Sequence, residues 1–380
     1  MDLDFTEEQE MLRTSARDFL TTECPKTLVR EMEEDEKGYS PKLWRKMAEL
    51  GWLGLVIPEE YDGMGMGFLD LVVLLEEMGR NILPGPFFST VVLGALPILE
   101  AGSEEQKKEL LPKIAAGEAI LTMALTEPSA SYEAAGVELT AVSQGDNFVL
   151  NGTKLFVENA HIADYIICVA RTKSGAGKYE DGITLFLVDA PTGRGGLKVE
   201  VVPTTALDKQ CEVVFENVSV PKKNMLGELD KGWPIVAKVL EKATIAKCAE
   251  MIGGAQAALD MSVAYAKERV QYGRPIGSYQ AIQFYLADMW IKVDMGKNIV
   301  YEAAWMVSEG LPAAEKVAIA KGWVNEAYKF ATEYGIQVHG AIGTTRDHDM
   351  GLYYRRARAA VPTFGDTDFQ KAVVARQLGL

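Results

Sequence analysis

The chain has 380 residues, 48% hydrophobic and 24% charged, with a formal net charge of −15. That length supports two or three domains with substantial cores, and the excess of acid argues against nucleic acid or an anionic membrane as the main partner. Four cysteines, Cys24, Cys168, Cys211 and Cys248, lie far apart with no Cys-x-x-Cys pair, which predicts reduced core thiols.

The opening Met1-Asp-Leu-Asp-Phe5 lacks the basic and apolar regions of a secretory signal, and no uncharged run approaches a membrane span. A cytoplasmic protein is the expectation. Thr6-Glu-Glu-Gln9 is a capping box for a first helix, with Met11, Leu12, Phe19 and Leu20 on its apolar face. Ser40-Pro41 reads as an N-cap followed by proline at the first helical position, starting a helix over 42–50. Gly63-Met-Gly-Met-Gly67 has GxGxG spacing, but Phe68 stands where GxGxxG needs its third glycine. No strand–turn–helix unit surrounds it, so a turn between helices is expected. Ser103-Glu-Glu-Gln106 is a second capping box, and residues 1–121 read as a helical domain.

Residues 122–226 change character. Asn151-Gly152 lies between the apolar runs 148–150 and 155–157 and predicts a β-hairpin, because Asn-Gly accepts a type I′ turn. Strand-like runs follow at Tyr165 to Ala170, Ile183 to Val188, Val199 to Val202 and Cys211 to Val220. Residues 227–380 open on the turn-rich link Gly227 to Gly232 and become helical. Ile282, Leu286, Met289 and Val293 form the stripe of a core-facing helix. Turns at Gly310-Leu-Pro312, Gly335 and Gly340 to Gly343 predict an antiparallel four-helix bundle. The fold class is α+β multidomain and mainly α. His161, His339 and His348 have no metal-ligand spacing, so no metal is expected.

Several ordered motifs resemble the acyl-CoA dehydrogenase family across essentially the whole chain. They are Leu125-Thr-Glu-Pro128, Asn151-Gly152 through Asn159, and Glu216-Asn-Val-Ser-Val-Pro221. Glu268-Arg-Val-Gln-Tyr-Gly-Arg-Pro-Ile-Gly277 and Gln337-Val-His-Gly340 continue the series. The resemblance implies an N-terminal helical domain, a middle β domain and a C-terminal four-helix bundle. It also implies FAD, which suits the chemistry: taking hydride from saturated carbon needs a cofactor, and the Rossmann fingerprint of nicotinamide enzymes is missing.

By that resemblance Leu125 and Thr126 face the flavin ring. Phe156 matches the aromatic residue behind it, where tryptophan is usual, and Val157 follows as a further contact. Glu158 falls where a threonine or serine hydroxyl usually approaches N5; either it meets the flavin or it turns to solvent or a salt bridge. Arg269 and Gln271 match the diphosphate contacts, with Tyr272 as the matching aromatic. Gln337, Val338 and Gly340 match a segment lent to the neighbouring subunit's FAD, although Gly340 and Gly343 are equally compatible with helix punctuation. Tyr132, Leu240, Glu241 and Thr244 match positions beside the acyl-CoA, with Tyr132 where a serine and Thr244 where an arginine is common. Lys242 and Lys247 are cations nearby. His339 is a candidate cofactor or substrate neighbour, and His348 a surface or subunit contact.

The family's base is a glutamate before a glycine near the C-terminus, taking a proton beside the thioester carbonyl while hydride leaves for the flavin. The matching run Pro362-Thr-Phe-Gly-Asp366 puts Phe364 there, followed by Gly365, and the alternative base position falls on Ala243. Neither accepts a proton. Three readings stay open. Glu158, Glu241 or Asp366 serves as base, although Asp366 also reads as the N-cap of the last helix. A Glu-bearing homologue completes a heterotetramer, as in the base-lacking branch for steroid side chains that the Phe-Gly-Asp run and His339…His348-Asp349 resemble. Or the chemistry does not begin with loss of the α proton, as with alicyclic enoyl-CoA substrates where the base acts elsewhere on the ring. The resemblance further implies a homotetramer built as a dimer of dimers, and electron-transfer flavoprotein as acceptor. The rival reading is a non-catalytic subunit that completes a partner's flavin site.

Overall fold

In the computed structural model, which describes residues 5–174, 177–190 and 195–380, the helices open at the side chains that cap them. The Gln9 N–H donates to the Thr6 hydroxyl while Gln9 accepts from the Thr6 N–H, starting α1 (Glu7–Glu23). Helix α2 (Lys26–Glu34) follows, and Ser40 caps α3 (Pro41–Glu49). The glycine run before α4 (Phe68–Asn81) folds back on its own chain, the Gly65 and Met66 N–H groups donating to Ile57 and Leu55 at 2.9 Å. It is a turn, and the described residues before it hold no strand. A buried π-helix, Phe88–Ala95, leads into α5 (Leu96–Ala101), and the Ser103–Gln106 box opens α6 (Glu104–Ala115).

The β-rich stretch supplies β1 (Leu121–Ala124), β2 (Thr140–Gln144), β3 (Asn147–Glu158) and β4 (Tyr165–Arg171). It continues with β5 (Ile183–Asp189), β6 (Leu197–Val202), β7 (Gln210–Pro221) and β8 (Met225–Leu226). They form one sheet in the order β6-β7-β3-β2-β4-β5-β8, with β1 parallel beside β4. The expected hairpin at Asn151-Gly152 is not there. Both residues lie inside β3, where the register against β7 slips between Leu150 and Gly152, a β-bulge. The reversal comes earlier, at Gly145-Asp146, which joins Gln144 to Asn147 across the β2–β3 pair. Bulge and turn both call for a residue tolerant of φ > 0, so the same Gly signal marks either. Gly152 has φ 147°, and a Cβ there would stand 2.9 Å from Leu139 Cα.

Helix α7 (Trp233–Glu268) is followed by the small antiparallel pair β9 (Val270–Gln271) and β10 (Arg274–Pro275). Helices α8 (Gln280–Ser308), α9 (Ala314–His339), α10 (Met350–Ala360) and α11 (Thr367–Gln377) complete the chain. Gly335 corrects the turn expected there. It lies inside α9, where a Cβ would meet Met350 Cε at 2.7 Å; a glycine kept small for packing reads like a helix stop.

By contact density the chain divides into two compact units that do not follow chain order. One takes Met1–Glu31, Gly67–Leu83 and Glu241–Leu380; the other takes Met32–Met66 and Pro84–Leu240. Within the first, Met289 and Val293 are fully buried on α8, and Arg17 donates to Glu77 on α4 at 3.0 Å. Within the second, Trp44 Nε1–H donates to the Gly117 carbonyl at 2.9 Å. All four cysteines are buried free thiols, and burial pushes Cys168 and Cys248 up to about 12. Among the described residues no helix is long and apolar enough to cross a membrane.

The bulge makes a distinction that urea unfolding can measure. Gly152→Ala, strained in backbone and crowded by Leu139, should cost about 2–3 kcal/mol. Gly145→Ala, at φ 58° with nothing within 4 Å, should cost about 1 kcal/mol. Equal costs would contradict the assignment.

Candidate functional site

Leaving β1, the segment Leu125-Thr-Glu-Pro128 is pinned by a buried ion pair. Lys154 Nζ stands 2.7 Å from Glu127 Oε1 and donates to the Leu125 carbonyl at 3.0 Å; the two side chains are 0% and 5% exposed. Glu127 also accepts the N–H groups of Glu138 and Leu139, each at 3.0 Å. Beside Lys154, the Leu155 N–H donates to the Thr126 carbonyl at 2.8 Å. The carbonyls of Leu125 and Thr126 are thereby taken up by the protein. The N–H and hydroxyl of half-exposed Thr126 have no protein partner among the described residues.

The next residue on β3 is the irregular one. Between Lys154, opposite Val213, and Val157, opposite Cys211, the register slips again. Phe156 occupies this second bulge with φ 53° and 58% of its surface exposed. A large aromatic held left-handed and turned outward carries strain that packing does not repay, a pattern concentrated at binding sites. Val157 is buried, and Glu158 is half-buried opposite Gln210. Tyr132 is half-buried on the loop that Arg171 ties down through the Ala134 and Val137 carbonyls, at 2.8 and 2.7 Å. Leu240, also half-buried, closes this unit on α7.

The other unit holds the remaining positions. On α7, Glu241 is half-buried and has neither hydrogen bond nor ion pair among the described residues. Burial raises its pKa, with Lys242 pulling weakly the other way. Ala243 is 0% exposed and Thr244 is buried. Phe364 and Gly365 make a left-handed turn, φ 58° and 109°, before Asp366. Asp366 N-caps α11, its carboxylate accepting the Phe369 N–H at 2.8 Å.

Arg269, Gln271 and Tyr272 lie on or beside the exposed β9–β10 hairpin; Tyr272 is 95% exposed at φ 51°, and Arg269 has no acidic partner among the described residues. Gln337 is exposed, Val338 buried, and Gly340 exposed at φ 67° with nothing within 4 Å of a would-be Cβ. Between them His339 is buried, its Nδ1 2.7 Å from the Gly335 carbonyl, which fixes the proton there. Burial holds His339 below the ordinary histidine range, and His348 lies 4.6 Å away, ring to ring. No group of metal-ligating side chains occurs among the described residues.

Within one unit the fold therefore joins Leu125, Thr126 and Phe156 through Lys154 and Leu155. Within the other it sets Phe364, Gly365 and Asp366 in one turn, while the 269–272 hairpin and the 337–340 helix end are separate elements. In one unit the open donors at Thr126 and the outward aromatic at Phe156 suit a planar ligand; in the other, Arg269, with no acidic partner among the described residues, and the bare backbone at Gly340 suit phosphate groups. Sequence reasoning missed the Lys154–Glu127 pair. Its signal was faint but present: Lys154 shares strand parity with buried Phe148 and Leu150, where a lysine needs a partner.

Residues 6–118, 122–218 and 230–379 match the N-terminal, middle and C-terminal domains of acyl-CoA dehydrogenase. The Bacillus subtilis protein YngJ, described as a probable acyl-CoA dehydrogenase, is 36% identical, with 100% of both chains covered. A structure described as the electron transferring flavoprotein of Acidaminococcus fermentans superposes with a TM-score of 0.92 at 33% identity, covering 100% of this chain and 99% of the other. A chain of the ChsE4–ChsE5 complex from Mycobacterium tuberculosis gives 0.90 at 28% identity, covering 100% and 99%.

The ion pair is open to direct test by chemical denaturation. Lys154→Met strands a buried carboxylate and should cost about 3–5 kcal/mol. Adding Glu127→Gln removes that charge and should restore more than half of the loss. No recovery in the double variant would show that Lys154 matters for its volume alone.

Proposed function

Because the chain belongs to the acyl-CoA dehydrogenase family, FAD-dependent oxidoreductases that act on CoA thioesters, we propose that its acyl group is bulky or alicyclic and that Glu241 is its proton acceptor. The observation that carries this reading is the pair of usual base positions. Ala243 is sealed in the core and Phe364 is an aromatic ring on a left-handed turn. Neither holds a proton acceptor, which supports the reading that this chain is of a branch without the usual glutamate.

FAD, when bound, supplies the two-electron acceptor that no side chain provides. Thr126 would donate to it through N–H and hydroxyl, with Leu125 beside it and Phe156 and Val157 behind the ring. Arg269 and Gln271 would hold the diphosphate with Tyr272 against it, and Gln337, Val338 and Gly340 would be lent to a neighbouring subunit's cofactor. Tyr132, Leu240 and Thr244 would line the CoA thioester, and Phe364 and Gly365 its acyl end.

Among the three candidate carboxylates, Asp366 is engaged as a helix cap, and Glu158 is kept as a residue near the flavin. Glu241 combines raised proton affinity with a side chain that makes no hydrogen bond or ion pair among the described residues, the condition of a general base. An α-helix turns about 100° per residue, so Glu241 projects about 200° away from Ala243. A base there does not serve the same carbon. An alicyclic enoyl-CoA offers a second acidic position, the γ carbon conjugated to the thioester through the ring double bond, which supports the alicyclic reading.

Electron-transfer flavoprotein is the proposed acceptor, supported by the likeness to a structure so described. A dimer of dimers is supported by the outward apolar face of α8, where Phe284, Ile291 and Met295 are 58%, 48% and 45% exposed. A second reading, assembly with a Glu-bearing homologue that carries the base, is favoured by the likeness to a complex of two named proteins.

Glu241→Gln should abolish substrate-dependent flavin bleaching by about 10²–10⁴-fold in anaerobic stopped flow. The wild-type rate should rise with pH through the raised Glu241 pKa. Stability carries the opposite sign: the folded state binds the proton more tightly, so stability falls as pH climbs from the unfolded to the folded pKa. Glu241→Gln should flatten that window in thermal scans. Full activity in the variant would reject Glu241 as base; activity appearing only with a Glu-bearing homologue would establish the second reading.

A further inference from the structure

The turn after α10 is held by more buried side chains than its length requires. Lys321 on α9 is 0% exposed and donates to the carbonyls of Ala360 and Val361 at 3.1 and 3.0 Å, and to Asn325 Oδ1. Its three acceptors match the three donors of an ammonium group. Two of them are carbonyls at the end of α10, where the helix dipole favours a cation. Burial nevertheless pushes Lys321 down to about 8.

The other face of the Asn325 amide donates to the Gly365 carbonyl at 3.4 Å, and Gln370, 5% exposed, donates to the Phe364 carbonyl at 2.9 Å. Four carbonyls of the run Ala360 to Gly365 are thus fixed by three buried side chains from α9 and α11. A non-glycine residue at φ 58° persists only where its surroundings over-determine it. A buried cation is a poor stabiliser compared with apolar packing, so its use points to position rather than stability.

We propose that Lys321, acting with Asn325 and Gln370, is a positioning residue that sets the Phe364 ring as the acyl-size selector of this enzyme. This rests on the reading that Phe364 faces the acyl group. Lys321 touches neither thioester nor cofactor; it works through the turn. Selection then depends on backbone geometry at Phe364, and disturbing any of the three anchors degrades it in the same direction as removing the ring.

The test is calorimetric titration of oxidised holoprotein with cyclohexanecarboxyl-CoA and butyryl-CoA, reading the ratio of their dissociation constants. Phe364→Ala should change that ratio about tenfold, and Lys321→Met about fivefold in the same direction. Lys321→Met combined with Phe364→Ala should match Phe364→Ala alone, since the lysine acts only through the ring. Should Lys321→Met not fold, Gln370→Leu, which removes only the donor to the Phe364 carbonyl, carries the same expectation. A merely structural lysine would weaken both esters equally and additively, overturning the inference while Phe364→Ala still shifted the ratio. An unchanged ratio in Phe364→Ala would instead reject the acyl-facing reading and the inference with it.

Discussion

Two segments widely separated in the chain meet at one buried ion pair, Lys154 with Glu127. The lysine pulls in the Leu125 carbonyl, the glutamate gathers the Glu138 and Leu139 N–H groups, and the adjacent Leu155 N–H takes the Thr126 carbonyl. Immediately beyond, β3 bulges and presents Phe156 outward at a left-handed backbone. Buried ion pairs seldom stabilise more than apolar packing of equal volume. What this pair does supply is a fixed register between the open donors of Thr126 and the aromatic face of Phe156. The flavin-facing half of the proposed site depends on it.

The same design recurs in the other unit around Lys321. There a buried ammonium, an amide and a glutamine hold the turn that carries Phe364. Both sites place an aromatic residue at positive φ on a backbone locked from beneath by buried polar side chains. The strain is local and the restraint comes from elsewhere in the chain. On the proposed matching of the family's base positions to Phe364 and Ala243, the half-buried Glu241, with no side-chain hydrogen bond or ion pair among the described residues, is where raised proton affinity and chemical availability coincide.

Features decided by neighbours in sequence were legible. The caps at Thr6, Ser40, Ser103 and Asp366 formed as read, because a side chain and an N–H three residues on settle them. The strands Tyr165–Arg171, Ile183–Asp189 and Gln210–Pro221 followed their apolar runs. Glycines were ambiguous: Gly152 marks a bulge rather than a turn, and Gly335 sits within a helix against Met350. Partners distant in sequence were not legible. Lys154 finds Glu127 across 27 residues and Lys321 finds the end of α10 across about 40, and no periodicity encodes such pairings. Resemblance proposed the site segments; the surroundings of Glu241 and the bulge under Phe156 needed the fold.

The measurement closest to the central claim is anaerobic titration of the purified holoprotein, following the visible flavin spectrum as CoA esters are added. Straight-chain esters of graded length and alicyclic enoyl esters such as cyclohex-1-ene-1-carboxyl-CoA would be compared side by side. Bleaching by alicyclic esters and little by straight-chain ones is the predicted result. Bleaching by straight-chain esters alone would contradict the account.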